Sequence, residues 1–297
     1  MIYNIIRCNT VRVAVMLTAL LCLPFVVSPA KAAHPADSMA IVKMLDGARR
    51  QPSSVCLPVY FARQLLGHPY VAHTLEVNDR EQLVVNTREL DCTTLVETVT
   101  ALTLCARRQQ YTYRDYCRTL TAMRYRNGRI DGYTSRLHYF TDWIVENQKA
   151  GIVEEIQQPN PPFTQVQTVR VSYMSRHPQS YKALRNHPEL VGEIARTERQ
   201  INGLRFRFIP KAAVTDSKAM RQAVHEGDII AITCNKPGLD IAHLGFAVWH
   251  SDGLHLLNAS QLHKKVVEES MTLRQYLSKH PSHTGIRVIR ICQMINL

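Results

Sequence analysis

The change in hydrophobic periodicity near Gly227 constrains the fold more than any other feature of this chain. Before it, apolar residues recur mostly at helical spacing; after it, they form short apolar or alternating runs of strand length. The predicted strands are Asp228–Thr233, Leu244–His250, Leu254–Asn258, Lys265–Glu268 and Gly285–Cys292. A hairpin turn is predicted at Ser251-Asp252-Gly253 and a short helix over Thr272–Lys279. Helices followed by antiparallel strands predict an α+β fold.

A buried helix is predicted to begin at Cys92. An apolar stripe at helical spacing runs along it: Leu95, Val99, Leu102 and Ala106. Asp91 can cap this helix by accepting backbone N–H bonds from its first turn. The alternative is a start at Thr94 with Glu97 closing a capping box, which would place Cys92 before the helix.

Cys92, His243 and Asn258 are residue types that together build a cysteine nucleophile site. A helix N-terminus and a neighbouring imidazolium both favour the thiolate, so we expect a reactive Cys92. His243 would act as base and acid, and Asn258, on the next strand, would orient its ring. Taken singly, each residue is more often structural, since cysteine is among the most buried residue types. Their order and placement together favour a catalytic set.

Residues 1–32 have the composition of a secretory signal peptide. Arg7 and Arg12 precede an apolar run from Val13 to Val27, and Ala30-Lys31-Ala32 matches a cleavage site. The alternative, a retained membrane anchor, is disfavoured because a spanning helix needs about 20 apolar residues. We therefore expect a periplasmic protein without a transmembrane segment after processing, in which residues 33–297 form one catalytic domain.

The net charge limits the classes of binding partner, and the cysteines raise the question of a disulfide. The chain of 297 residues carries +12, and residues 1–32 supply three of these charges, leaving +9 to attract anionic polymers. We find no basic and aromatic pattern typical of nucleic-acid binding and no local metal motif, so we predict no nucleic-acid partner, no metal and no cofactor. We expect a monomer. Cys234 and Cys292 end strand-like runs and could pair if the protein is exported.

Several motifs together resemble one family of cell-wall enzymes. The cysteine motif is Glu89-Leu90-Asp91-Cys92-Thr93-Thr94-Leu95-Val96-Glu97, and the histidine motif is Gly238-Leu239-Asp240-Ile241-Ala242-His243-Leu244-Gly245. Gly67-His68-Pro69-Tyr70-Val71-Ala72 and the block from Tyr133 to Trp143 match as well. From about residue 60 onward, the chain resembles NlpC-type cysteine peptidases, and more closely their N-acetylmuramoyl-L-alanine amidase-like branch.

The resemblance implies a papain-like fold, with the cysteine helix packed on the C-terminal antiparallel sheet and a helical insertion at about 111–209. It implies Cys92 as nucleophile and His243 as base, while Asn258 stands where relatives often have histidine. It also implies a substrate-binding set: Tyr70, Asp91, Tyr133, Arg136, His138 and Asp240. Of these, Arg136 is the residue we expect to bind a substrate carboxylate. The block around it has a competing interpretation as a packing motif.

The implied activity is hydrolysis of the amide between N-acetylmuramic acid and L-alanine in muropeptides, which are peptidoglycan fragments. One alternative is an endopeptidase of the same fold that cuts between D-glutamate and the diamino acid of the stem peptide. Another is a catalytically silent module that binds the cell wall through its positive charge. The presence of both Cys92 and His243 disfavours the silent module.

Overall fold

The computed structural model describes residues 34–293, so the predicted signal peptide lies outside the described residues. Eight strands form one antiparallel sheet in the order β2-β3-β8-β4-β5-β6-β7, and β1 pairs with β8 as well. The strands are β1 (Val153–Ile156), β2 (Gln165–Thr168), β3 (Arg205–Pro210), β4 (Ile229–Cys234), β5 (Ile241–His250), β6 (Gly253–Ser260), β7 (Lys265–Glu268) and β8 (His283–Ile291).

Helices lie on both faces of this sheet. They are α1 (Pro35–Arg49), α2 (Leu57–Gln64), α3 (Cys92–Arg107), α4 (Tyr113–Arg124), α5 (Phe140–Lys149), α6 (Tyr173–Arg176), α7 (Lys182–Asn186), α8 (Val191–Ile201), α9 (Lys218–Ala223) and α10 (Leu273–Ser278). Among residues 34–293, no helix combines the length and apolar character needed to cross a membrane.

Two hydrophobic cores sandwich the sheet. On one face, α1 to α5 pack against β4, β5 and β6, and α3 is buried along its whole middle from Thr94 to Cys105. On the other face, α9 and α10 cover the same strands. A third cluster packs α6, α7 and α8 together. Burial of α3 between other helices and the sheet fixes its N-terminus against the strands.

The predicted C-terminal strands are confirmed to within three residues at each boundary, and α10 confirms the short helix. The middle segment differs from the prediction, because 111–209 contributes three strands to the sheet in addition to its helices. Buried Arg287 on β8 holds this segment through bonds to Glu155 of 2.6 and 3.0 Å. The sequence pattern hid these strands because they are short and β2 is largely exposed.

The suggested Cys234–Cys292 disulfide does not form, and the six described cysteines are free. Cys234 pairs with His283 at the start of β8, whereas Cys292 follows the last residue of that strand. A strand rises about 3.4 Å per residue, so the length of β8 separates the two thiols.

Candidate active site

Cys92 is the first residue of α3, as predicted. The side chain of Asp91 accepts from the backbone N–H of Thr94 at 2.8 Å, and Thr94 Oγ1 accepts from the Asp91 N–H at 2.9 Å. This capping box excludes the alternative start at Thr94. The carboxyl of Asp91 is occupied by the cap, so its predicted role in substrate binding gives way to a role in placing Cys92.

The thiol of Cys92 is held among protein groups at the point where α3 meets β5. The backbone of Leu244 and the residue Thr93 lie close enough to the thiol to lower its pKa. Burial has the larger, opposite effect and raises the pKa of Cys92 to about 12. Burial therefore opposes the thiolate that the helix N-terminus is predicted to favour.

His243 lies on β5 and Asn258 on β6, and the two side chains meet. The Nε2 of His243 is 2.9 Å from Asn258 Oδ1, as the orienting role predicts. Asn258 is fully buried, while His243 is half-buried and stays accessible. Burial lowers the pKa of His243, so its imidazole is neutral near pH 7.

Glu269 extends this network and was missed by the sequence analysis. Its Oε1 accepts from Asn258 Nδ2 at 3.0 Å, and its Oε2 lies 3.3 Å from His263 Nε2. The carboxylate can only accept, so it fixes the amide with Oδ1 toward His243. His243 must then donate from Nε2, which leaves Nδ1 as the basic nitrogen. Glu269 follows a short strand and belongs to no motif, so no sequence pattern indicates that it fixes Asn258.

Tyr70 is brought to the site by the segment that precedes α3. Its N–H donates to the Lys264 carbonyl at 2.9 Å, beside β7, and its neighbour Val71 donates to the Leu90 carbonyl at 3.2 Å. Burial, with smaller contributions from the charges of Cys92 and Asp91, raises the pKa of Tyr70 to about 12. The hydroxyl is thus protonated at neutral pH, and its role beside the nucleophile stays a prediction.

A wall of rings adjoins His243 on the other side. The ring centroid of Tyr276, on α10, lies 6.3 Å from that of His243, and His280 lies 4.9 Å from Tyr276. His283 lies 4.6 Å from His280, and burial lowers the pKa of His283 to about 4. These residues also escaped the sequence analysis, because they carry no motif.

Arg136 is buried in ion pairs with two glutamates. Its side chain is 5% exposed and forms ion pairs with Glu76 and with Glu81, the latter at 3.7 Å. His138 packs on Tyr133 with centroids 4.4 Å apart and bonds to the Tyr133 carbonyl. The charge of Arg136 is already matched, which favours the competing interpretation of this block as a packing motif.

Asp240 is also structural. It is 3% exposed, and its Oδ2 accepts from the backbone N–H of Thr141 at 3.0 Å. Its carbonyl accepts from Gln167 Nε2 at 2.8 Å. Asp240 therefore anchors the start of β5, and so His243, to α5 and β2, and its predicted contact with substrate is not supported.

Within residues 34–293, one group of side chains has metal-ligating geometry. His250, Asp252 and His255 place one donor atom each within 4.8 Å of one another at the β5–β6 hairpin. His250 already bonds Glu268 at 2.6 Å, and His255 bonds Asp252 and the Glu269 carbonyl. The group lies outside the Cys92 site, and no step of the chemistry below uses it.

Comparisons with known proteins identify a family that this chain resembles. A model of the N-acetylmuramoyl-L-alanine amidase-like family matches residues 60–286. An N-acetylmuramoyl-L-alanine amidase from Bacteroides uniformis is 39% identical, with a TM-score of 0.74 over 83% of this chain and 99% of that one. A candidate xylanase from Bacteroides fragilis is 41% identical, with a TM-score of 0.72 over 77% and 99%.

A more distant protein from Legionella pneumophila shares the fold, with 20% identity and a TM-score of 0.67 over 88% of this chain and 98% of that one. The search of curated proteins gives no match to this chain.

Proposed function

Because this chain belongs to the N-acetylmuramoyl-L-alanine amidase-like family, we propose that it hydrolyses the amide joining N-acetylmuramic acid to L-alanine in muropeptides. The observation that carries this proposal is Cys92 at the N-terminus of buried α3, beside the strand that bears His243. The bond from His243 to Asn258 orients the ring. This arrangement fits a papain-like member of the NlpC-type enzymes.

In the first step, the Cys92 Sγ attacks the carbonyl carbon of the lactyl amide. Since the thiol and the imidazole both rest uncharged, His243 Nδ1 takes the thiol proton as the S–C bond forms. Within the described residues, the backbone N–H of Cys92 makes no hydrogen bond and is free to donate to the oxyanion. The Tyr70 hydroxyl is the second donor that we propose.

In the second step, the C–N bond breaks and His243 returns the proton to the departing amine of L-alanine. The sugar remains on Cys92 as a thioester of its lactyl group. His243 then removes a proton from water, the resulting hydroxide attacks the thioester, and the thiol recovers a proton. The products are the free sugar acid and the intact stem peptide.

We also propose that the protein is exported and that residues 1–32 are removed. The basic start, the apolar run and Ala30-Lys31-Ala32 support this proposal, as does a substrate found in the cell envelope. Mass analysis of the exported protein tests it. A chain that still begins at Met1 contradicts it.

Three alternatives have less support. An endopeptidase would use the same chemistry on another bond, and only the family match favours the amidase. Cleavage of xylan would need two carboxyl groups flanking the bond, but here Asp91 caps α3 and Glu269 holds Asn258. A module that only binds the cell wall would not need the bond from Asn258 that orients His243.

Incubation with defined substrates tests the proposal. The enzyme is offered N-acetylmuramoyl-tripeptide, the free tripeptide and xylo-oligosaccharide, and products are identified by mass spectrometry. We expect free tripeptide and N-acetylmuramic acid from the first substrate alone. Release of an L-alanyl-D-glutamate fragment indicates the endopeptidase, and shortened xylo-oligosaccharide indicates the glycosidase.

A further inference from the structure

A groove with only basic charge lies where the segment after β2 faces the loop before β5. Its volume is about 860 Å³, within the range of small-molecule sites. Arg170 and Arg176 line one wall and Lys236 the other, and all three are exposed. None of the described residues that line the groove is acidic.

The three cations have no acidic partner of their own. Buried Arg136, for example, is paired with Glu76. In contrast, Arg170, Arg176 and Lys236 form no ion pair within residues 34–293. Unpaired like charges around one concave surface repel one another, so the groove favours an anionic occupant.

The walls of the groove are fixed by backbone contacts. The N–H groups of Ser172 and Tyr173 both donate to the Gly238 carbonyl, at 3.1 and 3.2 Å. Gly238 has a φ of +77°, and a Cβ there would lie 3.1 Å from Ser172 Oγ. Asn202 bonds both the N–H and the carbonyl of Val171, at 2.6 and 2.9 Å. The backbone segments that carry the cations are therefore fixed before a ligand arrives.

The groove adjoins the candidate active site through β4. Cys234 lines the groove, and Ile232, two residues earlier on that strand, pairs with His243. Two residues along a strand span about 7 Å. Lys236 and His243 both lie close enough to His283 to lower its pKa. A ligand of a few residues can thus reach from the groove to Cys92.

We propose that this groove binds the carboxylates of the stem peptide, with Arg170, Arg176 and Lys236 as the recognising charges. This inference rests on the proposed function, because it places the leaving half of the muropeptide. It also assigns the carboxylate recognition that Arg136 cannot provide, since Arg136 is buried in its own ion pairs. Carboxylates bound by several cations give charge-assisted hydrogen bonds.

A kinetic comparison tests the groove. The substrates are N-acetylmuramoyl-tripeptide with free carboxylates and the same compound with those carboxylates amidated. In the triple variant Arg170→Gln, Arg176→Gln, Lys236→Gln, we expect kcat/KM for the free acid to fall about 100-fold. For the amidated substrate we expect a change below about threefold. Arg114→Gln, at an exposed position on α4, is the matched control and should leave both rates unchanged. Equal losses on both substrates overturn the proposal.

A binding measurement separates the groove from the reaction. Free tripeptide is titrated calorimetrically into Cys92→Ala and into Cys92→Ala that also carries the three glutamine substitutions. We expect binding in the first protein and at least tenfold weaker binding in the second. Equal binding by the two proteins, or no binding by either, overturns the proposal that the groove binds the stem peptide. Groove-dependent binding without turnover by the unmodified enzyme leaves the groove standing and removes the proposed amidase function.

Discussion

At the scale of single residues, the site depends on a buried amide held from both sides. Asn258 is fully buried, and its two polar atoms bond His243 at 2.9 Å and Glu269 at 3.0 Å. The second bond makes the first one directional, because the carboxylate of Glu269 leaves only the amide oxygen for the imidazole. Glu269 is thus a positioning residue for the proposed catalysis.

Removal of Glu269 should therefore slow the reaction. In Glu269→Ala the side-chain amide of Asn258 can rotate by 180° and present Nδ2 to His243. This orientation would favour the tautomer of His243 with its proton on Nδ1, which cannot act as the base toward Cys92. We expect kcat to fall about ten- to a hundredfold, part of the effect of a general base, with little change in KM. His263→Ala removes the exposed neighbour of Glu269 and should change kcat by less than about twofold. An unchanged kcat in Glu269→Ala, measured on N-acetylmuramoyl-tripeptide, contradicts the positioning role.

The protonation state of Cys92 gives a second prediction at this scale. Burial raises the pKa of Cys92 to about 12 and lowers that of His243 below 6.5. Alkylation of Cys92 by iodoacetamide should accordingly be slow at pH 7 and rise steadily to pH 9. The value of kcat/KM should fall only below pH 6.5, as His243 gains a proton. Fast labelling that is independent of pH in this range would reveal a resting thiolate.

At the scale of elements, Arg136 ties the segment before α3 to the turn before α5. Its side chain is 5% exposed, and its partners Glu76 and Glu81 come from the segment that follows Tyr70. Burial raises the pKa of Glu81, and the charge of Arg136 opposes this shift. The ion pairs thus keep the loop beside Cys92 in place.

Loss of Arg136 should destabilise the fold and leave substrate affinity alone. In Arg136→Ala two carboxyls lose their partner, and we expect the free energy of unfolding in urea to fall by about 3–5 kcal/mol. Arg129→Ala, an exposed arginine nearby, should cost less than about 0.5 kcal/mol. At a temperature where both variants are folded, KM should equal that of the unmodified enzyme. A stable Arg136→Ala with a raised KM would return this residue to the substrate site.

The elements also show what the sequence could predict. Each C-terminal strand was predictable because turn residues bound its apolar residues. Helix α3 was predictable because Asp91 caps its start and an apolar stripe defines its buried face. The strands β1, β2 and β3 were missed, since each has few buried residues and pairs with distant partners. Cys92, His243 and Asn258 were found as residue types in order. The bond of Glu269 to Asn258 and the burial of Arg136 in ion pairs are contacts between distant residues, which sequence spacing does not reveal.

At the scale of the whole molecule, buried neutral histidines make stability depend on pH. Burial lowers the pKa of His138 from 6.5 to about 3. The unfolded chain gains this proton near pH 6.5, while the folded protein does so only near pH 3. The stability contributed by neutral His138 is therefore fully present above pH 6.5 and is lost as the pH falls below it.

Urea unfolding at pH 7 and pH 5 tests this dependence. The contribution of His138 should lower the free energy of unfolding by up to about 1.4 kcal/mol per pH unit below 6.5. In His138→Gln the amide can still donate to the Tyr133 carbonyl but does not titrate. This variant should lose less stability between the two pH values than the unmodified protein. Identical losses would mean that His138 is accessible to protons in the folded state.

The central claim is that Cys92 transfers the lactyl acyl group of the sugar to water. Its most direct test is single-turnover cleavage of N-acetylmuramoyl-tripeptide in H₂¹⁸O, with the products weighed by mass spectrometry. We expect one ¹⁸O atom in the carboxylate of N-acetylmuramic acid, none in the tripeptide, and less than about 1% of the rate in Cys92→Ala. Label in an L-alanyl-D-glutamate product, or full activity of Cys92→Ala, would contradict the account.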